Sequence, residues 1–150
     1  MMEELIKEVF AANLKLVRSG LVIQTWGNVS GISRAEGLVA IKPSGIAYTE
    51  LTAEDIVVVD LDGNVVHGNK RPSSDTPTHI ELYKAFPEIG GIAHTHSTYA
   101  TVYAQACMEI PCFGTTHADH FHGPVPVTRF LAKDECEIDY EKNTGKIIIE

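Results

Sequence analysis

The sequence has few cysteines, few basic residues and no long apolar run, and each shortage argues against a class of protein. Three cysteines in 150 residues form no C-x-x-C pair, so we expect reduced thiols, not disulfides or a thiolate metal site. Twelve basic against twenty acidic residues give a net charge of −8, which argues against binding nucleic acid or an anionic membrane surface. No stretch reaches the roughly 18 apolar residues of a membrane span, and no signal segment is visible. We therefore expect a cytoplasmic protein.

What the sequence does contain indicates one globular domain over residues 1–150. Its hydrophobic content is 44%, enough for a sizeable core, and no repeat or linker divides it. Apolar spacing and turn residues predict helices, two hairpins, a buried strand and a terminal strand. These are helices over residues 3–18, 76–86 and 97–108, hairpins pairing 28–34 with 38–41 and 56–60 with 65–67, and strands over 89–95 and 146–150. Hairpins mixed with helices predict an α/β layered domain with a mixed sheet.

His94 and His96 stand two residues apart at the end of the predicted buried strand. Side chains two apart on a strand point to the same side, so both imidazoles can reach one ion. Zinc accepts imidazole nitrogen and carboxylate oxygen. From the residues alone, a metal pair and a pair of hydrogen-bonded structural histidines both remain open.

A second polar cluster, GTTHADHFHG, holds three imidazoles and one carboxylate in a predicted loop. His120 and His122 form another His-x-His pair, which is either part of a metal site or a surface feature, and we favour the surface. Asp119 differs, because a carboxylate among hydroxyls and imidazoles is suited to general acid/base catalysis.

Three short stretches combine a turn with hydroxyl or amide donors. The one ending at Asp75 leads into a predicted helix N-terminus, where free backbone N–H groups attract phosphate. Each is either an anion site or an ordinary turn, and none matches a nucleotide-binding glycine motif. The stretches are Thr25-Trp26-Gly27-Asn28, Lys42-Pro43-Ser44-Gly45 and Pro72-Ser73-Ser74-Asp75.

Five motifs occur in one order along the chain: TWGNVSGISR, IKPSGIAY, KRPSSDTPTHIELYKAF, GGIAHTHS and GTTHADHFHG. Together they resemble the class II aldolase/adducin-head family over nearly the whole chain, and most closely its L-ribulose-5-phosphate 4-epimerases. The resemblance implies a three-layer α-β-α sandwich around a mixed, mostly antiparallel sheet. It also implies a homotetramer with active sites between subunits.

The resemblance assigns roles to residues position by position. Asp75, His94 and His96 match the ligands of a divalent ion, with Zn²⁺ expected first and Mn²⁺ second. Asp119 matches an acid/base residue, and His67, His120 and His122 are expected at the surface. The positions matching substrate and phosphate contacts are Gly27, Asn28, Lys42, Ser44, Gly45, Ser73 and Ser74.

The chemistry implied by this resemblance is retro-aldol epimerisation of a sugar phosphate. C3–C4 cleavage of L-ribulose 5-phosphate gives an enediolate and glycolaldehyde phosphate, and addition to the other aldehyde face gives D-xylulose 5-phosphate. The metal would act as a Lewis acid. Related fuculose-phosphate aldolases carry glutamate where this chain has Asp75, which favours an epimerase over an aldolase. A non-catalytic interaction domain, as in adducin heads, is the alternative outside enzymes.

Family members continue beyond the position of Glu150 and there supply a third metal-binding histidine and a tyrosine acid/base. We therefore expect the 150 residues to be a C-terminally incomplete piece of the domain. On this expectation the 150-residue chain alone is poorly soluble or associates abnormally, and it lacks measurable epimerase activity.

Overall fold

The computed structural model describes every residue, Met1–Glu150, and its elements follow the predicted order as far as residue 108. No helix has the length and apolar character needed to cross a membrane. The helices are α1 (Met2–Arg18), α2 (Thr76–Ala85), α3 (Thr98–Gln105), α4 (Thr115–Ala118), α5 (Lys133–Glu137) and α6 (Tyr140–Ile149). The strands are β1 (Asn28–Ser33), β2 (Leu38–Ile41), β3 (Val57–Asp60), β4 (Val65–His67) and β5 (Gly91–His94).

The five strands form one sheet in the order β4-β3-β2-β1-β5. All of its pairings are antiparallel, where the sequence predicted a mixed sheet. The two predicted hairpins are β1–β2 and β3–β4. Asn28 of β1 lies opposite His94 of β5, so the beginning of β1 and the end of β5 meet at one end of the sheet.

Helices cover both faces of this sheet, which confirms the predicted three-layer sandwich. Side chains alternate along β3, because successive residues of a strand point to opposite faces. Val58 packs with Val9 of α1 on one face. Val57 and Val59 pack with Tyr83 of α2 on the other. The three valines of β3 are fully buried, as are Val39, Ala40 and Ile41 of β2, so these two neighbouring strands form the centre of the core.

Two strand predictions need correction. The strand over 89–95 was expected to be buried, but β5 is an edge strand with Gly91 and Ala93 exposed. A short apolar run does not distinguish an edge strand from a central one, since the distinction depends on which neighbours the topology supplies.

The three cysteines are exposed and unpaired, in line with the expected reduced thiols.

The prediction of a strand over 146–150 is wrong. Residues 146–149 form the end of helix α6, and Glu150 is its C-cap. Three consecutive isoleucines favour a strand locally. Tertiary packing overrides this preference, since α6 lies along α2 and buries Gly145 and Ile147. A methyl group at Gly145 would lie 2.8 Å from Glu81 Cβ and 3.0 Å from the Thr78 carbonyl oxygen. Glycine therefore permits the close approach of the two helices.

The α2–α6 contact predicts that Gly145→Ala destabilises the fold. Overpacking typically costs about 1–3 kcal/mol, and the higher helix propensity of alanine offsets only about 1 kcal/mol of it. Urea denaturation should show a lower free energy of unfolding. Gly90→Ala is the control, because that glycine has open space around it. Equal stability of the two variants would contradict the helical packing of residues 140–149.

Candidate functional site

A cavity of about 410 Å³ opens at the end of the sheet where β1 begins and β5 ends. Its walls come from the turn before β1, the loop after β2, the segment before α2 and the end of β5. All ten residues that were predicted to bind substrate or metal lie around it. The complete lining is Thr25, Trp26, Gly27, Asn28, Lys42, Pro43, Ser44, Gly45, Ser73, Ser74, Asp75, His94 and His96.

Backbone hydrogen bonds hold two of these walls together. Ser44 N donates to the Arg71 carbonyl at 2.9 Å, and Ser73 N donates to the Lys42 carbonyl at 3.1 Å. The loop after β2 and the segment before α2 therefore run side by side. This pairing explains how serines some thirty positions apart in sequence reach one cavity.

Asp75 stands at the N-cap of α2, but its side chain does not cap the helix. Its Oδ2 accepts hydrogen bonds from Asn28 Nδ2 at 2.7 Å and from His94 Nδ1 at 2.9 Å. Burial alone would raise the pKa of Asp75, but the bonds from His94 and Asn28 outweigh it and lower this pKa to about 2. Asp75 is thus an anionic carboxylate fixed between two strands.

The carbonyl oxygen of the Asn28 side-chain amide makes no hydrogen bond. Asn28 is buried, and its Oδ1 has no hydrogen-bond partner. The amide cannot simply be turned over, because Nδ2 must face the Asp75 carboxylate. An unpaired buried acceptor is costly, so the protein accepts this cost to hold the Asn28 amide against the Asp75 carboxylate.

His94 and His96 lie next to each other on the cavity wall, with ring centres 4.9 Å apart. The prediction that both imidazoles reach one site is consistent with this arrangement. Two imidazoles and a carboxylate are donors suited to Zn²⁺ or Mn²⁺. No three His, Cys, Asp or Glu side chains are grouped as a complete metal site, and Asp75 is hydrogen-bonded to His94. These donor types fit a divalent ion. If Asp75 is to be one of its ligands, the hydrogen bond between Asp75 and His94 must be replaced by a bond from Asp75 to the metal.

Lys42 lines the cavity with a buried ammonium group. Its Nζ donates to the Ile46 carbonyl at 2.8 Å and to the Pro43 carbonyl at 3.3 Å. Burial lowers the pKa of this lysine. The sequence predicted a substrate contact for Lys42, and the structure shows that its hydrogen bonds go to its own loop.

Beneath the cavity, three buried side chains form a polar chain. Ser30 Oγ lies 2.7 Å from His79 Nδ1 and 2.8 Å from the Tyr83 hydroxyl. Burial lowers the pKa of His79 to about 4, so the ring is neutral near pH 7. Because His79 lies one helical turn after Asp75 on α2, this chain fixes the beginning of α2 against β1.

Asp119 and the second histidine pair lie elsewhere. Asp119 is exposed at the end of α4 and does not line the cavity. His67, His120 and His122 are also exposed, in agreement with their predicted surface position. The sequence interpretation missed Tyr48, which lies behind the cavity wall. Its presence in the IKPSGIAY motif was the available signal.

The structure is thus an α/β protein whose antiparallel sheet lies between helices, with a polar cavity at one end of the sheet that is lined by an imidazole pair, a carboxylate and hydroxyl groups. The sequence profile described as Class II Aldolase and Adducin N-terminal domain matches residues 7–146. The chain belongs to the class II aldolase family.

Solved structures agree with this assignment. An L-fuculose 1-phosphate aldolase is 34% identical with a TM-score of 0.82, over 97% of this chain and 67% of that one. YgbL from Klebsiella pneumoniae, described as a candidate aldolase, epimerase or decarboxylase, is 25% identical with a TM-score of 0.73, over 96% and 72%. An L-fuculose-1-phosphate aldolase from Thermus thermophilus shares the fold at 21% identity and a TM-score of 0.75, over 99% and 73%.

The geometry predicts that metal binding depends on the first histidine pair and not on the second. Zinc content after equilibrium dialysis should collapse in the His94→Ala, His96→Ala double variant, because both imidazole donors are lost. The matched control is the His120→Ala, His122→Ala double variant, which removes the exposed pair. Unchanged zinc content in the first variant would show that the ligands lie elsewhere.

Proposed function

We propose that the protein epimerises L-ribulose 5-phosphate and D-xylulose 5-phosphate at C4 by retro-aldol cleavage and re-addition. One observation carries this proposal: phosphate-type donors and metal-type donors, predicted from separate motifs, line a single cavity. Such a cavity suits a small molecule with a phosphate at one end and a polar carbonyl end at the other.

The phosphate end is assigned to the serines of the two paired walls. Ser44, Ser73 and Ser74 offer hydroxyl groups, and α2 begins directly after Asp75. Backbone N–H groups at a helix N-terminus attract anions. The buried Lys42 ammonium adds positive charge to the same wall while it remains bonded to the backbone carbonyls.

The carbonyl end is assigned to the wall formed by Asp75, His94 and His96. A divalent metal, when bound, supplies Lewis acidity that stabilises negative charge on substrate oxygens. The side chains of this wall would hold and orient it.

Retro-aldol cleavage explains why these groups are needed. The C4–H bond is not next to the carbonyl, so direct deprotonation is difficult. Removal of the C4 hydroxyl proton instead lets the C3–C4 electron pair move onto the C2 carbonyl, giving an enediolate and glycolaldehyde phosphate. The aldehyde turns while its phosphate stays bound, the bond re-forms on the other face, and the proton returns to the C4 oxygen.

Asp119 is proposed as the group that moves the C4 hydroxyl proton. Since Asp119 does not line the cavity of its own chain, it acts in the cavity of a neighbouring copy. This arrangement accords with the proposed homotetramer and its active sites between subunits.

An aldolase of the fuculose-phosphate type is the second candidate, favoured by the 34% identical relative. The Asp75 carboxylate argues for the epimerase. It is one methylene shorter than the glutamate expected of such aldolases, and Asn28 and His94 hold it at 2.7 and 2.9 Å. A carboxylate this short and restrained is better suited to helping hold the metal than to removing a substrate proton.

Product analysis of the protein encoded by the whole reading frame tests this proposal. With zinc and L-ribulose 5-phosphate, ¹³C NMR should show D-xylulose 5-phosphate. An aldolase would instead cleave L-fuculose 1-phosphate into two three-carbon products, and an interaction domain would convert neither sugar. Either of those results would contradict the epimerase.

Replacement of Asp119 should separate catalysis from metal binding. Asp119→Asn is expected to keep its zinc and lose about 10²–10⁴ in turnover, the usual contribution of a general acid/base. Asp62→Asn, at an exposed turn that tolerates asparagine, is the control. Loss of zinc in Asp119→Asn would reassign this residue as a ligand.

Mixing two inactive variants tests whether Asp119 acts between copies. Subunits of Asp119→Asn, refolded together with subunits of His94→Ala, His96→Ala, should regain activity that neither has alone. In the mixture, some cavities with intact histidines receive an intact Asp119 from a neighbour. Absence of recovery in verified mixed oligomers would place Asp119 outside the neighbouring cavity.

A further inference from the structure

Tyr48 lies behind the cavity, outside its lining, and contacts two of its walls. Its hydroxyl donates to the Gly27 carbonyl at 2.9 Å. Its ring lies under the Lys42 ammonium, with Nζ 4.7 Å from the ring centre. One side chain thus touches both the turn before β1 and the loop after β2.

The hydroxyl contact acts on a turn with little freedom. Gly27 has φ +114°, and a Cβ at this position would lie 2.9 Å from the His94 carbonyl oxygen. The backbone of Gly27 therefore packs directly against the end of β5. Burial raises the pKa of Tyr48 to about 12, so the phenol keeps its proton and remains a donor to the Gly27 carbonyl.

The strand that follows this turn is anchored from α1. Asn13 is fully buried. Its Nδ2 donates to the Val29 carbonyl at 2.9 Å, and its Oδ1 accepts from Val29 N at 2.9 Å. Asn28 lies in sequence between Val29, which Asn13 binds, and Gly27, which Tyr48 binds. The side-chain amide of Asn28 bonds to Asp75. A shift of the Gly27 carbonyl therefore moves the group that holds the Asp75 carboxylate.

The ring contact acts on the opposite wall. The Lys42 ammonium donates to the Ile46 and Pro43 carbonyls, which flank Ser44 and Gly45. A cation over the face of a tyrosine ring is attracted to it, and more strongly when water is excluded. Tyr48 thereby restrains the position of Lys42, and the hydrogen bonds of Lys42 in turn restrain the loop that contains Ser44.

We propose that Tyr48 is a positioning residue that sets the separation of the Gly27–Asn28 turn and the Lys42–Gly45 loop, and thereby the affinity of the cavity for a phosphate group. This inference rests on the proposed function in taking the serine-bearing walls as the phosphate site. Tyr48 itself touches no substrate. It acts through the Gly27 carbonyl and the Lys42 ammonium.

Calorimetric titration with inorganic phosphate tests this role. Tyr48→Phe keeps the ring under Lys42 and removes only the hydroxyl, so phosphate affinity should fall about fivefold, as expected for one hydrogen bond. Tyr48→Leu also removes the ring and should weaken binding further. Ser19→Ala is the control, since it deletes a hydroxyl bonded to the Leu16 carbonyl at 2.7 Å at the end of α1, outside the cavity.

Tyr48→Phe and Ser19→Ala should each lose a little thermal stability, because each loses one hydroxyl hydrogen bond, while only Tyr48→Phe loses phosphate affinity. Unchanged affinity in Tyr48→Phe and Tyr48→Leu, with normal binding by the unmodified protein, would overturn this inference alone. Equal losses of affinity in Tyr48→Phe and Ser19→Ala would also overturn it, because the effect would then be general destabilisation. Failure of the unmodified protein to bind phosphate would overturn both this inference and the proposed function.

Discussion

The hydrogen bonds to the Asp75 carboxylate are the interactions on which the rest of the site depends. Asn28 at the beginning of β1 and His94 at the end of β5 both bond to Oδ2 of this residue, which stands at the beginning of α2. Three elements that are distant in sequence therefore converge on one oxygen atom. The antiparallel pairing of Asn28 with His94 makes this convergence possible.

Some polar groups of the cavity wall are already hydrogen-bonded within the protein, whereas others are exposed and can bind a ligand. Asp75 and Lys42 are charged groups whose hydrogen bonds are made within the protein. Ser44, by contrast, is exposed in the cavity wall. Preorganised polar groups around a small cavity need little reorganisation when charge develops on a bound substrate. The arrangement is therefore compatible with the small phosphorylated substrate that we propose.

The sequence predicted what local patterns determine and failed where tertiary contacts decide. The bounds of α1, α2 and both hairpins follow from apolar spacing and turn residues. Residues 146–149 form a helix because Gly145 allows α6 to approach α2, and isoleucine propensity carries no such information. The site residues came from co-linear motifs. The positions of Asp119 outside the cavity and of Tyr48 behind it depend on packing that no motif spacing reveals.

Anomalous diffraction at the zinc edge, from crystals grown with zinc, tests the central claim most directly. The account predicts one strong anomalous peak at the cavity wall, within bonding distance of His94 and His96 and adjacent to Asp75. A peak at His120 and His122 with none at the cavity would contradict it. That result would move the metal to the exposed loop and leave the cavity without the chemistry proposed for it.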